Sequence, residues 1–273
     1  MNDYDLIDSG DGRRLERFGK YLLDRPDPEV LWQKTLPEAD WSKADAKFRE
    51  NWININHVPE KWEMSEEGIK FWAKLAPFKH TGVFPEQASQ WKYILDTLKN
   101  KNANVLNLFA YTGIASLFAA KAGAKVTHLD ASKPAITWAN ENRELNGMQD
   151  APIRWIIDDA IKFTQREAKR GVAYDAIIMD PPVYGHGPAG EIWDFNKDFP
   201  RLLENCRHII SGNPLFVLVN AYAISSSSTT LANTLQGYFG NLGGTIENGE
   251  LTLKEKSAGR LLSTGIWARW SKL

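Results

Sequence analysis

Three apolar segments of this chain run directly into residues that can do chemistry. Val105-Leu-Asn-Leu-Phe-Ala-Tyr-Thr-Gly-Ile114 ends in a turn carrying an amide, two aromatic rings, a hydroxyl and one glycine. His128-Leu-Asp130 ends in a carboxylate, and Ile177-Ile-Met-Asp-Pro-Pro182 ends in another, followed by two prolines. In open α/β sheets, ligands bind in the crevice beyond the carboxyl ends of such strands. The three segments therefore read as a cofactor cradle and a substrate gate, and the chain as an enzyme.

The chemistry differs from segment to segment. In the turn Asn107-Leu-Phe-Ala-Tyr-Thr-Gly113, a glycine where strand gives way to helix lets backbone approach a ligand, and the helix N-terminus offers free N–H donors. The Gly-x-Gly-x-x-Gly pattern that seats a dinucleotide pyrophosphate is missing, which argues against NAD and FAD. Asp130 stands where a doubly wound fold places an acid that accepts hydrogen bonds from a ribose diol. Asp130 or Ser132 could instead cap the helix starting near Lys133. Asp158 and Asp159 follow the third strand, where one could accept from an adenine amino group or cap the helix from Ala160. In Asp180-Pro-Pro-Val-Tyr184 the prolines remove two donors and stiffen the backbone, leaving carbonyls and a carboxylate as acceptors that suit an amine-bearing substrate. The following Gly185-His-Gly-Pro-Ala-Gly190 reads as a mobile, open lip.

Other residues carry less. Cys206 lies in a helical segment, as a small core residue or a lone nucleophile. His80 and His186 flank glycine-containing turns and could reach the site or sit in exposed loops. Lys162, Arg166, Lys169 and Arg170 share one helical face, which reads as solvated surface.

Positioning these groups requires an alternating series of elements. The periodicity predicts helices over 87–98, 114–122, 133–145, 160–169 and 199–210, and strands over 105–108, 125–129, 153–157, 176–179 and 215–222. Such a series builds a parallel sheet. The runs 244–256 and 260–270 are strand-like with no helix between them, so they must be antiparallel. Residues 1–80 differ, with Arg25-Pro-Asp-Pro28, Leu36-Pro37, Val58-Pro59 and Ala76-Pro77 as punctuation. Trp32, Trp41, Trp52, Trp62 and Trp72 read as anchors of a small strand-rich unit, with a base-stacking platform as the alternative. The expected organisation is an accessory unit over 1–80 and a catalytic domain over 81–273.

Composition narrows the function classes. A chain of 273 residues can bury a full α/β core and a smaller unit. One cysteine excludes an internal disulfide and a cysteine-based metal site, and the five histidines show no paired metal spacing, so no metal is expected. The acidic opening lacks a signal-peptide core and no apolar run approaches membrane-spanning length, so the cytoplasm is the expected compartment. Net charge is −1, with 15 Lys+Arg against 18 Asp+Glu in residues 1–100 and 18 against 16 beyond. A nucleic-acid binder usually carries a basic field, so any RNA contact would rest on local patches.

These residues resemble the class I S-adenosylmethionine-dependent methyltransferases, and more closely the bacterial group related to large-subunit ribosomal RNA methyltransferases. The resemblance covers nearly the whole chain: Leu6-Ile-Asp-Ser-Gly-Asp-Gly-Arg-Arg-Leu-Glu-Arg-Phe18, His80-Thr-Gly-Val-Phe-Pro-Glu-Gln87, the three core segments, and Gly259-Arg-Leu-Leu-Ser-Thr-Gly-Ile-Trp-Ala-Arg-Trp270. It implies a Rossmann-like, mostly parallel seven-stranded sheet closed by an antiparallel hairpin, with S-adenosyl-L-methionine as cofactor. By the same resemblance, Asn107, Phe109, Tyr111, Thr112 and Gly113 surround the donor's amino-acid part and Asp130 holds its ribose. Asp159, with Asp158 beside it, contacts the adenine, and the stretch from Phe84 to Gln87 covers the cofactor. Asp180 and Pro181 border the methyl group and acceptor, with Tyr184 as the nearby aromatic.

Two departures bear on the acceptor. Val183 stands between the Pro-Pro pair and Tyr184, where amino-group methyltransferases often place the aromatic directly. The strand end Val219-Asn-Ala-Tyr-Ala-Ile-Ser225 offers no cysteine, which disfavours cytosine C5 chemistry. An RNA base, by resemblance ribosomal, is the leading acceptor. A small molecule or protein side chain, a non-catalytic S-adenosylmethionine-binding protein and an NAD oxidoreductase are the alternatives.

Overall fold

The computed structural model describes residues 1–272. They group into two compact units, one of Met1–Ser89 with Leu251–Thr264, the other of Gln90–Glu250 with the residues from Gly265 on. The division falls nine residues beyond position 80 and assigns the end of the terminal hairpin to the N-terminal unit.

In the first unit, strands β1 (Tyr4–Gly10), β2 (Arg13–Phe18) and β3 (Tyr21–Pro26) form an antiparallel meander. The short helix α1 (Glu38–Trp41) precedes β4 (Ala46–Phe48), which pairs parallel to β3, and β5 (Trp52–Asn54) completes a five-stranded sheet. A separate hairpin joins β6 (Trp62–Glu66) to β7 (Ile69–Ala73). Asp11-Gly12 and Glu67-Gly68 each place two successive residues at positive φ, the backbone that a tight right-twisting hairpin demands. The tryptophans are anchors. Trp41 is fully buried and donates to Asp8, while Trp32, Trp52 and Trp62 donate to Ser9 Oγ, the Ala76 carbonyl and the Phe18 carbonyl. Indole N–H groups tied down in this way fasten the unit together. Burial pushes the Glu16 carboxyl up, but Arg14 and Arg25 outweigh it and hold it at about 2.

A 3₁₀ turn, Pro85–Gln87, leads into helix α2 (Ala88–Leu98). The second unit then runs through β8 (Asn104–Leu108), α3 (Ile114–Lys121), β9 (Lys125–Asp130), α4 (Lys133–Leu145), β10 (Ile153–Ile157), α5 (Ala160–Lys169) and β11 (Ala176–Met179). After the short strands β12 (Tyr184–His186) and β13 (Ile192–Asp194) come α6 (Phe195–Ile209), β14 (Phe216–Ala221), α7 (Ser228–Phe239), β15 (Thr245–Lys254) and β16 (Leu261–Ser271). The seven strands lie in the order β10-β9-β8-β11-β14-β16-β15, parallel through β14, with β16 antiparallel to it. The chain winds outward from β8 to β10 and returns on the other side of β8 at β11. That reversal opens a crevice beyond the ends of β8 and β11, where the Asn107 turn and Asp180 both emerge.

Three elements differ from the sequence pattern. Helix α6 begins at Phe195, not 199: Asp194 caps it by accepting from Lys197 N, and Phe195 stacks on Phe199 with ring centres 4.7 Å apart. Pro200, which reads as a first-turn residue in sequence, therefore sits inside the helix. Helix α7 has no counterpart among the expected elements, because its polar opening hides the start that Ser227 caps. The glycine-rich segment after Asp180 is a hairpin: β12 and β13 pair antiparallel, Tyr184 opposite Asp194 and His186 opposite Ile192. Among the described residues no helix is long and apolar enough to cross a membrane, and no group of three His, Cys, Asp or Glu side chains could hold a metal ion.

Candidate cofactor and acceptor site

Strand β8 delivers Asn107 to the sheet edge, and the chain then makes an unusually constrained turn. Phe109, Tyr111 and Gly113 all take left-handed φ, at 53°, 49° and 81°. A non-glycine residue held there costs about 1–2 kcal/mol, so the surroundings must over-determine the loop. They do. Asp130 Oδ2 accepts from Tyr111 N at 2.8 Å, Asn142 Nδ2 donates to the Thr112 carbonyl at 2.9 Å, and Ala110 N donates to the Leu129 carbonyl. Burial and the Asp130 charge push the Tyr111 hydroxyl up to about 12.

Gly113 serves a packing purpose. A Cβ there would lie 2.9 Å from Ala139 Cβ, so its hydrogen permits the close approach of helix α4. Gly113 is also the cap residue of α3 and supplies no side chain to it. The first-turn N–H groups of α3 thus keep their donor capacity and the positive end of the helix dipole, a setting for a carboxylate.

Asp130 does not cap α4. That role falls to Ser132, whose Oγ accepts from Ala135 N. Asp130 Oδ1 accepts from Ser132 N, so both carboxylate oxygens are oriented by backbone and retain further lone pairs. Burial raises its pKa while these backbone N–H groups pull it down. The adjacent acids separate into two roles. Asp158 is spent, paired with Arg166 and accepting from Asp159 N. Asp159 caps α5 through Oδ1, at 2.8 Å from Lys162 N, and its Oδ2 keeps its acceptor capacity. The basic face of α5 is largely neutralised: Lys162 pairs with Glu191, Arg166 with Asp158 and Arg170 with Glu167.

At the gate, Asp180 N reaches the Leu108 carbonyl at 3.4 Å, Pro181 is buried and Pro182 is exposed. The Pro182 carbonyl, expected as a free acceptor, takes the Trp193 indole N–H at 2.6 Å. Trp193 is buried with its ring 4.9 Å from Phe109, so the inner face of the β12–β13 hairpin is fastened to the turn. The outer face shows Tyr184, 55 % exposed, with His186 edge-on at 5.3 Å and Ile192 opposite. Cys206 is fully buried in α6 and burial pushes its thiol up, which fits a core residue.

Phe84, Gln87 and His80 belong to the N-terminal unit. There Phe84 precedes the 3₁₀ turn, its ring 5.5 Å from that of His80, and Gln87 is buried. Burial, reinforced by Arg25 and Lys79, lowers His80 to about 4. In the second unit, Asn107, Phe109, Tyr111, Thr112, Gly113, Asp130, Asp159 and Asp180 all end elements at one sheet edge. Asn142 and Trp193 had no sequence signal: one is a polar residue in a helix, the other an aromatic beyond a glycine-rich stretch.

The sheet order, the terminal antiparallel strand and a strand-end acid beside an uncapped helix, without a dinucleotide fingerprint, define a Rossmann-like enzyme class. Residues 43–236 match the family described as S-adenosylmethionine-dependent methyltransferase, and the chain belongs to that family. Its cofactor is S-adenosylmethionine. The solved structure of an S-adenosylmethionine-dependent methyltransferase from Agrobacterium tumefaciens is similar over 99 % of this chain and 91 % of its own, with a TM-score of 0.96 and 41 % identity. Among curated relatives, Ribosomal RNA large subunit methyltransferase K/L of Shewanella frigidimarina is 36 % identical over 157 residues, 57 % of this chain. Ribosomal RNA large subunit methyltransferase K of Neisseria meningitidis is 29 % identical over 226 residues, 77 % of this chain. The matches span 22 % and 63 % of those relatives' lengths.

Proposed function

We propose that this methyltransferase binds its donor in the crevice beyond β8 and β9 and transfers the methyl group to an RNA base presented at the Asp180 gate. The observation that carries the reading is the convergence at one sheet edge of an uncapped α3 N-terminus, the backbone-oriented Asp130 and the Asp180-Pro181 segment. The fit to the cofactor is chemical. The α3 N–H groups suit its carboxylate, Asp130 its ribose diol and Asp159 Oδ2 its adenine amino group, each charge-assisted bond contributing about 1.5–3 kcal/mol. Phe109, Tyr111, Thr112 and Gly113 shape the wall around the amino-acid part.

S-adenosylmethionine, when bound, supplies a sulfonium-activated methyl group. The remaining task is orientation, and in-line placement of reactants is worth up to about 7–11 kcal/mol. Asp180 accepts a hydrogen bond from the acceptor's nucleophile and takes its proton as the nucleophile attacks. Pro181 fixes the backbone beside it, and Tyr184 offers a ring face to a planar acceptor. Support for RNA comes from the names of the curated relatives and from the exposed Tyr184–His186 pair. Cytoplasmic residence accompanies this reading.

The test is transfer of radiolabelled methyl groups into fractionated extract of a strain lacking the protein. Label that is lost on ribonuclease treatment is expected. Label confined to protein or small molecules would overturn the RNA acceptor while leaving the donor site intact.

A further inference from the structure

A buried polar chain behind the cofactor turn has no role in the chemistry described so far. Asn107 Nδ2 donates to Ser116 Oγ at 2.9 Å, and Ser116 Oγ lies 2.9 Å from His128 Nδ1. The three residues come from β8, α3 and β9, with Asn107 and His128 in register on neighbouring strands. Asn107 is 3 % exposed and the other two are completely buried. His128 packs its ring 4.6 Å from that of Trp155, and its Cε1 would lie 3.4 Å from a Cβ at Gly113.

The Asn107 amide nitrogen gives the chain a direction. Ser116 has one hydrogen to donate, and its oxygen already accepts from Asn107. With Asn107 Nδ2 as the donor to Ser116, that hydrogen goes to His128 Nδ1, which places the imidazole proton on Nε2. Burial lowers His128 to about 3, so the ring stays neutral at ordinary pH. Nε2 has no hydrogen-bond partner among the described residues. The polar function of His128 therefore runs through Nδ1 alone.

We infer that Ser116 and His128 are positioning residues that lock the Asn107 amide with its nitrogen turned inward, so that its carbonyl oxygen is the group offered to the α-ammonium of the methyl donor. The inference rests on the proposed placement of the donor's amino-acid part at the Asn107–Gly113 turn. Asn107 Oδ1 has no protein hydrogen-bond partner among the described residues, and an amide flipped the other way would present N–H donors to a cation. The α3 N-terminus beside it answers the carboxylate. Together they form a complementary pair for a zwitterionic amino-acid group.

The test is calorimetric binding of two probes, S-adenosylhomocysteine and its analogue lacking the α-amino group. His128→Gln, whose amide falls at the Nε2 position, and Ser116→Ala are expected to weaken S-adenosylhomocysteine about tenfold and leave the analogue unchanged within about twofold. His128→Asn keeps a carbonyl oxygen at the Nδ1 position and is expected to bind both probes like the wild type. Equal losses for the two probes, no loss at all, or an Asn variant that behaves like the Gln variant would each overturn the positioning role. Failure of the wild type to bind S-adenosylhomocysteine would instead overturn the placement on which it rests.

Discussion

Tyr184 and Cys206 are two reactive side chains in opposite settings, one 55 % exposed and the other fully buried. Tyr184 stands in the open on a hairpin whose inner face is fastened down, so it can meet an acceptor without moving the turn beneath it. Tyr184→Ala is expected to raise the KM for the methyl acceptor about tenfold, consistent with about 1–3 kcal/mol per stacked base, and Tyr184→Phe to restore it. S-adenosylhomocysteine affinity should be the same in all three proteins, and steady-state kinetics with calorimetry check both points. Cys206 is sealed in the core, so Cys206→Ala should keep full methyl-transfer activity at a cost of about 1 kcal/mol in urea unfolding. Loss of transfer in that stably folded variant would point to a cysteine nucleophile. The strand-end acids were legible in the sequence because each follows an apolar run directly. Their division of labour was not: that Ser132 caps α4, Asp159 caps α5 and Asp158 is taken by Arg166 depends on side-chain reach across turns, which spacing does not encode.

Among the elements, the turn between β8 and α3 is held most tightly and is the most sensitive to change. Gly113→Ala adds a methyl 2.9 Å from Ala139 Cβ at a φ of 81°. The left-handed penalty of about 1–2 kcal/mol and overpacking of about 1–3 kcal/mol act together, so a clear drop in the urea midpoint is expected along with weaker S-adenosylhomocysteine binding. Trp193→Ala tests the hairpin: it removes the indole from beneath Phe109 and the bond to the Pro182 carbonyl, at about 3–5 kcal/mol. Proteolysis within 184–194 should accelerate in that variant. Helices with strong periodicity, such as α4 and α5, start and stop where the pattern places them. The β12–β13 hairpin escaped because its strands are three residues long and glycine dominates the stretch between them, so composition reads as a loose lip while Trp193 pins it from outside the glycine run.

At the scale of the molecule, the parallel sheet and its antiparallel closure follow from the order of elements, whereas the grouping of Leu251–Thr264 with the N-terminal unit follows from contacts far apart in sequence. One such contact is Glu255 accepting from Ser9 N and Oγ. The whole fold also responds to acid through His128. Its native pKa is about 3 while the unfolded chain binds a proton near 6.5, so the unfolded state gains protons first as pH falls. Stability is fully present above about pH 6.5 and is lost progressively below it, by roughly 2 kcal/mol from this one group at pH 5. In His128→Asn the fall in stability between pH 7 and pH 5 should be smaller by that amount, measured by urea unfolding at each pH. The central claim, that the crevice beyond β8 and β9 binds the methyl donor through Asp130, is tested most directly by calorimetric titration of S-adenosylhomocysteine into wild type and Asp130→Ala. Saturable wild-type binding and at least about a tenfold loss in the variant are predicted, consistent with a charge-assisted bond of about 1.5–3 kcal/mol. Wild-type affinity in a folded Asp130→Ala protein would contradict the account.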